Sequence, residues 1–222
     1  MKLVIGNKCY SSWSMRPWIL LTELGIPFEE VQIPLDLPTT RAEIAKWTPA
    51  GRVPVLVDGD VTVWESLAIM EYAAEKDPRA WPSDPKARAL ARAISSEMHA
   101  GFLALRKNLP MNFGKRFTYL RDRTVDADVD RITALWRDAR ARFGKGGPFL
   151  FGSFTAADAM YAPVVSRFVT YSVPVDAEAR AYMDAVVETV SYRRWREGAL
   201  AEPWVIAGDE VDREPIEVFR KG

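Results

Sequence analysis

One cysteine and one histidine are present among 222 residues. The lone Cys9 excludes an internal disulfide framework and a cysteine-rich zinc site. The lone His99 excludes a histidine pair on a metal, or a two-histidine mechanism, within one chain. Neither sign of charge is in excess. Thirty Lys and Arg balance 30 Asp and Glu, so net charge leaves no footprint for nucleic acid or an anionic membrane. Long hydrophobic runs are missing too. Leu3 to Ile5 is too short for a signal-peptide core, and no segment reaches about 18 uninterrupted apolar residues. The expectation is a cytoplasmic protein, free of metal, with Cys9 reduced. What remains is 48% apolar and 27% charged, a globular balance over a length that suits one or two domains.

The first part reads as mixed α and β. Lys2 to Ile5 suits a buried strand, and a helix is predicted from near Ser14, with Pro17 in its first turn and Gly25 as its stop. Phe28 to Ile33 reads as a second strand, parallel to the first. Arg41 to Trp47 reads as a short helix. Val55 to Val57 and Val61 to Val63 flank Asp58-Gly59-Asp60, a hairpin signal, and Glu65 to Lys76 follows as helix. Pro78, Pro82 and Pro85 punctuate a linker over 78–85, because each proline removes a donor and restricts its predecessor. Beyond it the apolar period is helical. The pattern predicts one long helix over 87–109, another over 132–143, a third over 155–171 containing Pro163, and shorter ones over 182–190 and 192–200. The charge-rich stretch 121–131 reads as a solvated surface.

Three segments carry chemistry. In Tyr10-Ser11-Ser12-Trp13-Ser14-Met15-Arg16-Pro17, three hydroxyls gather where a strand hands over to a helix. There a serine either caps backbone N–H groups or donates to an anion in the positive field of the helix end. In Gly51-Arg52-Val53-Pro54-Val55-Leu56, a cis bond before Pro54 would turn the main chain of Val53 outward, whereas a trans bond would make an ordinary turn. In Trp64-Glu65-Ser66, the serine would hold a carboxylate and the glutamate an ammonium, or the serine is simply a helix cap.

Together these residues resemble the cytosolic glutathione S-transferase family over essentially the whole chain. The likeness is carried by Ser11-Ser12-x-Ser14-x-Arg16, Pro49-x-Gly51-Arg52-Val53-Pro54-x-Leu56 and Glu65-Ser66-Leu67-Ala68-Ile69. In the helical half, Gly152-Ser153-Phe154-Thr155-Ala156-Ala157-Asp158 is similar to the family's capping box. The resemblance implies an α/β thioredoxin-like N-terminal domain over 1–77, an all-α C-terminal domain over 86–222, and a homodimer. It also implies glutathione as co-substrate, with Val53 pairing with its cysteine backbone before a cis Pro54. Glu65 and Ser66 would take the γ-glutamyl end and Arg52 the glycine carboxylate. Ser11 falls where serine-type members place the hydroxyl that meets the thiolate, with Ser12 and Ser14 as competitors. Among classes the motif is nearest to zeta, whose pattern begins Ser-Ser-Cys; Trp13 takes the cysteine place here.

The implied activity is a glutathione transferase acting on a small hydrophobic electrophile, with Arg106, Met111, Asn112 and Phe113 as expected walls of its pocket. The alternatives are a zeta-like maleylacetoacetate isomerase, a non-catalytic glutathione- or protein-binding module, and a thiol–disulfide enzyme relying on Cys9. No Cys-x-x-Cys and no following proline support the last, so Cys9 reads as a buried or bystander thiol and His99 as part of a polar helix face or a dimer contact.

Overall fold

The computed structural model describes residues 1–220. Its first part alternates strands β1 (Lys2–Ile5), β2 (Glu29–Gln32), β3 (Val55–Asp58) and β4 (Val61–Trp64) with helices α1 (Ser12–Leu24), α2 (Thr40–Ala45) and α3 (Ser66–Lys76). The sheet order is β2-β1-β3-β4, with β1 and β2 parallel and the other two pairs antiparallel. Leu3, Val4, Ile5, Val55 and Leu56 are fully buried at its centre, as the short apolar runs require. Gly25 ends α1 in the left-handed region at φ 71°, where a side chain would be disfavoured.

After a single 3₁₀ turn at Pro78–Ala80, the chain is helical: α4 (Pro85–Ala100), α5 (Leu103–Asn108), α6 (Arg123–Phe143), α7 (Ala156–Thr170), α8 (Ala177–Val187) and α9 (Val190–Ala201). A two-stranded ribbon, β5 (Lys115–Arg116) with β6 (Glu217–Val218), ties the C-terminal segment back onto the body. No described helix is long and apolar enough to cross a membrane. Helix α7 lies at the centre, packed on α1, α4 and α8, with every residue except Val169 buried. Its N-terminus is held by Asp158, whose carboxylate accepts from the N–H groups of Leu150 (3.0 Å) and Thr155 (2.8 Å) and from the Thr155 hydroxyl (3.0 Å).

Three sequence expectations are corrected. Helix α1 begins at Ser12, so Pro17 lies in its second turn and leaves the Trp13 carbonyl without the usual donor. The helix predicted over 87–109 is two helices. Gly101 leaves the helical region, Phe102 takes φ 60°, and the apolar period resumes in a new direction with Leu105 and Leu109. The stretch 121–131 is more than a solvated surface, because α6 starts at Arg123. Asp122 caps it by accepting from Thr124 and Val125 N–H, and Val125 and Val129 turn into the core.

Candidate active site

The loop between β1 and α1 sets the three serines apart. Asn7 carbonyl accepts from the N–H groups of Tyr10 (3.2 Å) and Ser11 (2.8 Å), curling the chain so that Ser11 sits just before α1. Its hydroxyl makes no capping bond to the helix; it donates to Ser14 Oγ at 2.8 Å. Ser14 is fully buried and also accepts from Gly6 N–H at 3.0 Å, so it serves the fold. Ser12 Oγ accepts from Arg167 at 3.3 Å. Ser11 and Ser12 line a cavity; Ser14 does not.

Next to them is a first cavity of about 380 Å³ walled by Trp13, Arg52, Val53, Glu65, Ser66 and His99. The Val53–Pro54 peptide is cis. Among the described residues neither the N–H nor the C=O of Val53 has a protein partner, so both are available to an extended ligand. Glu65 holds φ 69° without being glycine, a conformation that costs on the order of 1–3 kcal/mol and here starts α3 at the cavity wall. Ser66 is fully buried, and its hydroxyl has no partner. A buried hydroxyl facing a cavity without an acceptor suits a polar ligand group there. His99 reaches in from α4, with Nε2 3.7 Å from a Glu65 carboxylate oxygen and Nδ1 unpartnered. Burial, and then Arg16 nearby, hold its pKa below the ordinary histidine value.

A second cavity, of about 530 Å³, shares Trp13, Arg52 and Val53 with the first and adds Ser11, Met111 and a cationic wall. Arg106 donates to the Gly101 (2.9 Å), Met98 and His99 carbonyls, and Arg167 to those of Leu109 (2.8 Å) and Pro163 (3.2 Å). Behind them Arg16 is fully buried, reaches only the Met160 carbonyl, and leaves both terminal nitrogens unpartnered. Arg16 and Arg106 both stack on Trp13, at 4.2 and 4.6 Å from its ring centroid. No carboxylate lies within 4.0 Å of Arg16, Arg52, Arg106 or Arg167 among the described residues. Burial, followed by Arg106, pushes Arg167 down to about 10, which still leaves it charged at neutral pH. One acid, Asp209, enters the same cavity; burial raises its pKa against the pull of Arg167. The wall is therefore positive and largely uncompensated, a setting that favours an anion.

Comparison with known proteins agrees in both halves. Residues 10–76 match the model described as "Glutathione S-transferase, N-terminal domain", and residues 122–199 match "Glutathione S-transferase, C-terminal domain", together well over half the chain. The chain belongs to the glutathione S-transferase family. A dichloromethane dehalogenase of Methylorubrum extorquens is 48% identical over 56 residues, 24% of this chain and 19% of that protein. The maleylacetoacetate isomerase of Mus musculus is 38% identical over 109 residues, 47% of this chain and 50% of the relative. The chain thus spans about half the length of these curated relatives or less. A glutathione transferase homolog from Burkholderia with bound glutathione shares the fold at TM-score 0.67 and 22% identity, over 89% of this chain and 97% of that one.

In this family member, Arg106 and Met111 stand where the sequence predicts a pocket wall. Asn112 and Phe113 do not. Asn112 is buried, with its amide donating to Glu210 and its oxygen accepting from Gly114 N–H, and Phe113 lines a separate cavity beside Lys115 and Ser166. Cys9 is fully buried with Sγ 3.8 Å from Asn112 Oδ1, and burial pushes its thiol pKa up, the opposite of an activated nucleophile. Sequence reasoning missed Trp13 as a shared wall and Arg167 and Asp209 as pocket residues. Arg167 lies inside an apolar helical stretch, where only three-dimensional packing turns a guanidinium toward Ser12, 155 positions away.

Proposed function

We propose that the chain binds glutathione in the first cavity, ionises its thiol beside Ser11, and directs the thiolate at an electrophile in the second. The observation that carries this is the contiguity of the two cavities. The unpaired main chain of Val53 and the partnerless Ser66 line one, Ser11 lines the other, and Trp13 with Val53 belongs to both. The peptide backbone of glutathione would pair with Val53, its γ-glutamyl carboxylate would accept from Ser66, and Glu65 would face the ammonium.

The chemistry needed is modest. A thiol of pKa about 8.5 is about 3% ionised at pH 7, and lowering that value by about two units takes about 2.7 kcal/mol of differential stabilisation. A charge-assisted bond from Ser11, the N-terminus of α1 and the positive wall can supply it. The proton leaves to solvent, sulfur forms a bond to carbon, and either a leaving group departs with the electron pair or a conjugated double bond takes it up.

The cationic second cavity supports an electrophile that bears a carboxylate, held by Arg106 and Arg167. It also supports the zeta-like alternative, in which the thiolate adds to a conjugated double bond, the bond rotates, and elimination regenerates glutathione. One set of measurements tests both. Calorimetry with glutathione should give saturable binding, and turnover should favour a carboxylate-bearing electrophile over its methyl ester by about tenfold or more, a preference that Arg167→Met removes. Absence of glutathione binding defeats the proposal. Binding without any turnover would mark a glutathione-binding module, and mixed-disulfide reduction lost in Cys9→Ala would mark a thiol–disulfide enzyme.

A further inference from the structure

The loop that delivers Ser11 is held from far along the chain. Of its peptide N–H groups, those of Tyr10 and Ser11 turn inward to the Asn7 carbonyl, whereas those of Lys8 (2.5 Å) and Cys9 (3.1 Å) both donate to the carboxylate of Glu202. Glu202 is 7% exposed and accepts from Gln32 as well, so both of its oxygens are committed. The Lys8 carbonyl accepts from Trp195 Nε1 at 2.9 Å. Tyr10, the residue before Ser11, donates its hydroxyl proton to Glu210 at 2.6 Å, and Glu210 is fixed in turn by Asn112 (3.0 Å) and Lys115 (2.6 Å). Arg220 adds a bond to the Tyr10 oxygen at 2.8 Å and another to the Glu202 carbonyl at 3.1 Å. Of these partners, Glu202, Glu210 and Arg220 come from the segment after α9, beyond residue 199 where the family match stops.

We propose that Glu202 and Glu210 are positioning residues for the reaction: through the loop at Lys8, Cys9 and Tyr10 they fix where the Ser11 hydroxyl points. The inference rests on Ser11 as the hydroxyl that meets sulfur. A carboxylate is required at 202, because two N–H donors converge on it. A glutamine would offer one acceptor oxygen and turn an NH₂ group against the other donor. The same segment carries Asp209 into the second cavity, so one strap sets both the serine and the electrophile's wall.

Glu202→Gln, Glu210→Gln and the exposed control Glu188→Gln are compared with wild type by amide hydrogen exchange over residues 6–13 and by thiolate absorbance of bound glutathione across pH. Both strap variants should exchange faster in that loop. They should raise the bound thiol pKa by about one unit and so lower the thiolate fraction of bound glutathione at pH 7 about threefold, with glutathione Kd changed by less than about threefold. Glu188→Gln should behave as wild type. If the variants leave loop exchange unchanged, or loosen the loop without moving the thiol pKa, the proposal is overturned. Glu210→Gln keeps the test decisive should Glu202→Gln fold poorly. A wild type that binds no glutathione would defeat the functional reading instead, while loop exchange would still decide whether these carboxylates hold the loop.

Discussion

Replacing Ser11 by alanine separates the three hydroxyls by physics. The substitution removes one donor at the cavity, while Ser14 keeps its bond from Gly6 N–H, so the fold should barely notice. Ser14→Ala does the reverse: it orphans a buried backbone N–H, at about 1–3 kcal/mol of stability. If Ser11 accounts for the full depression of the glutathione thiol from about 8.5 to about 6.5, the ionised fraction at pH 7 falls from about 76% to about 3% in Ser11→Ala. The rate should fall less, roughly two- to fourfold, because a more basic thiolate is the better nucleophile. Near pH 9 both proteins are mostly ionised and the deficit should vanish or reverse. The assay is kcat/KM against pH, paired with thiolate absorbance of the bound tripeptide. A deficit of equal size at every pH would refute thiol ionisation as the role of Ser11. So would a Ser11→Ala protein whose bound thiol titrates as in wild type while Ser12→Ala shifts it.

Two further outcomes follow from the structure. Asp158→Ala strands the buried N–H groups of Leu150 and Thr155 and should cost about 3–5 kcal/mol, lowering Tm by about 10 °C; a loss under about 1 kcal/mol in a thermal melt would contradict the capping role. His99 has a folded pKa below its ordinary value, so the unfolded chain takes up its proton first. The histidine's contribution is therefore present above about pH 6.5 and lost as pH falls below it. Denaturant midpoints between about pH 7.5 and 5.5 should fall less steeply in His99→Gln than in wild type, and equal slopes would count against it.

Local rules made much of this fold readable. The hairpin at Asp58-Gly59, the stop at Gly25 and the capping box at Thr155 and Asp158 depend on residues a few positions apart, and each stands as expected. The break at Gly101 was hidden because Leu105 and Leu109 keep a helical period across it, and periodicity reports which side is apolar without reporting direction. The start of α6 was hidden by charge: Val125 and Val129 are too sparse among acids and arginines to announce a buried face. At the site, the motif residues around Val53 and Ser66 were legible as neighbours of one cavity. Arg167, Asp209 and Glu202 were not, because each meets the serine loop or its pocket only after some 150–200 residues of intervening chain have folded.

The burial of α7 bears on how such a protein diversifies. Arg167 shares with Asp158 a helix in which every residue except Val169 is buried, so a change of charge there disturbs the packed interior along with the cavity wall. The opposite rim, at Thr40 where α2 begins and at Asp209, is only half-buried, so substitution there disturbs less of that interior. On the proposed reading of this cavity, a substrate range is altered at least cost to the fold by substitution at the rim, with the arginine floor kept.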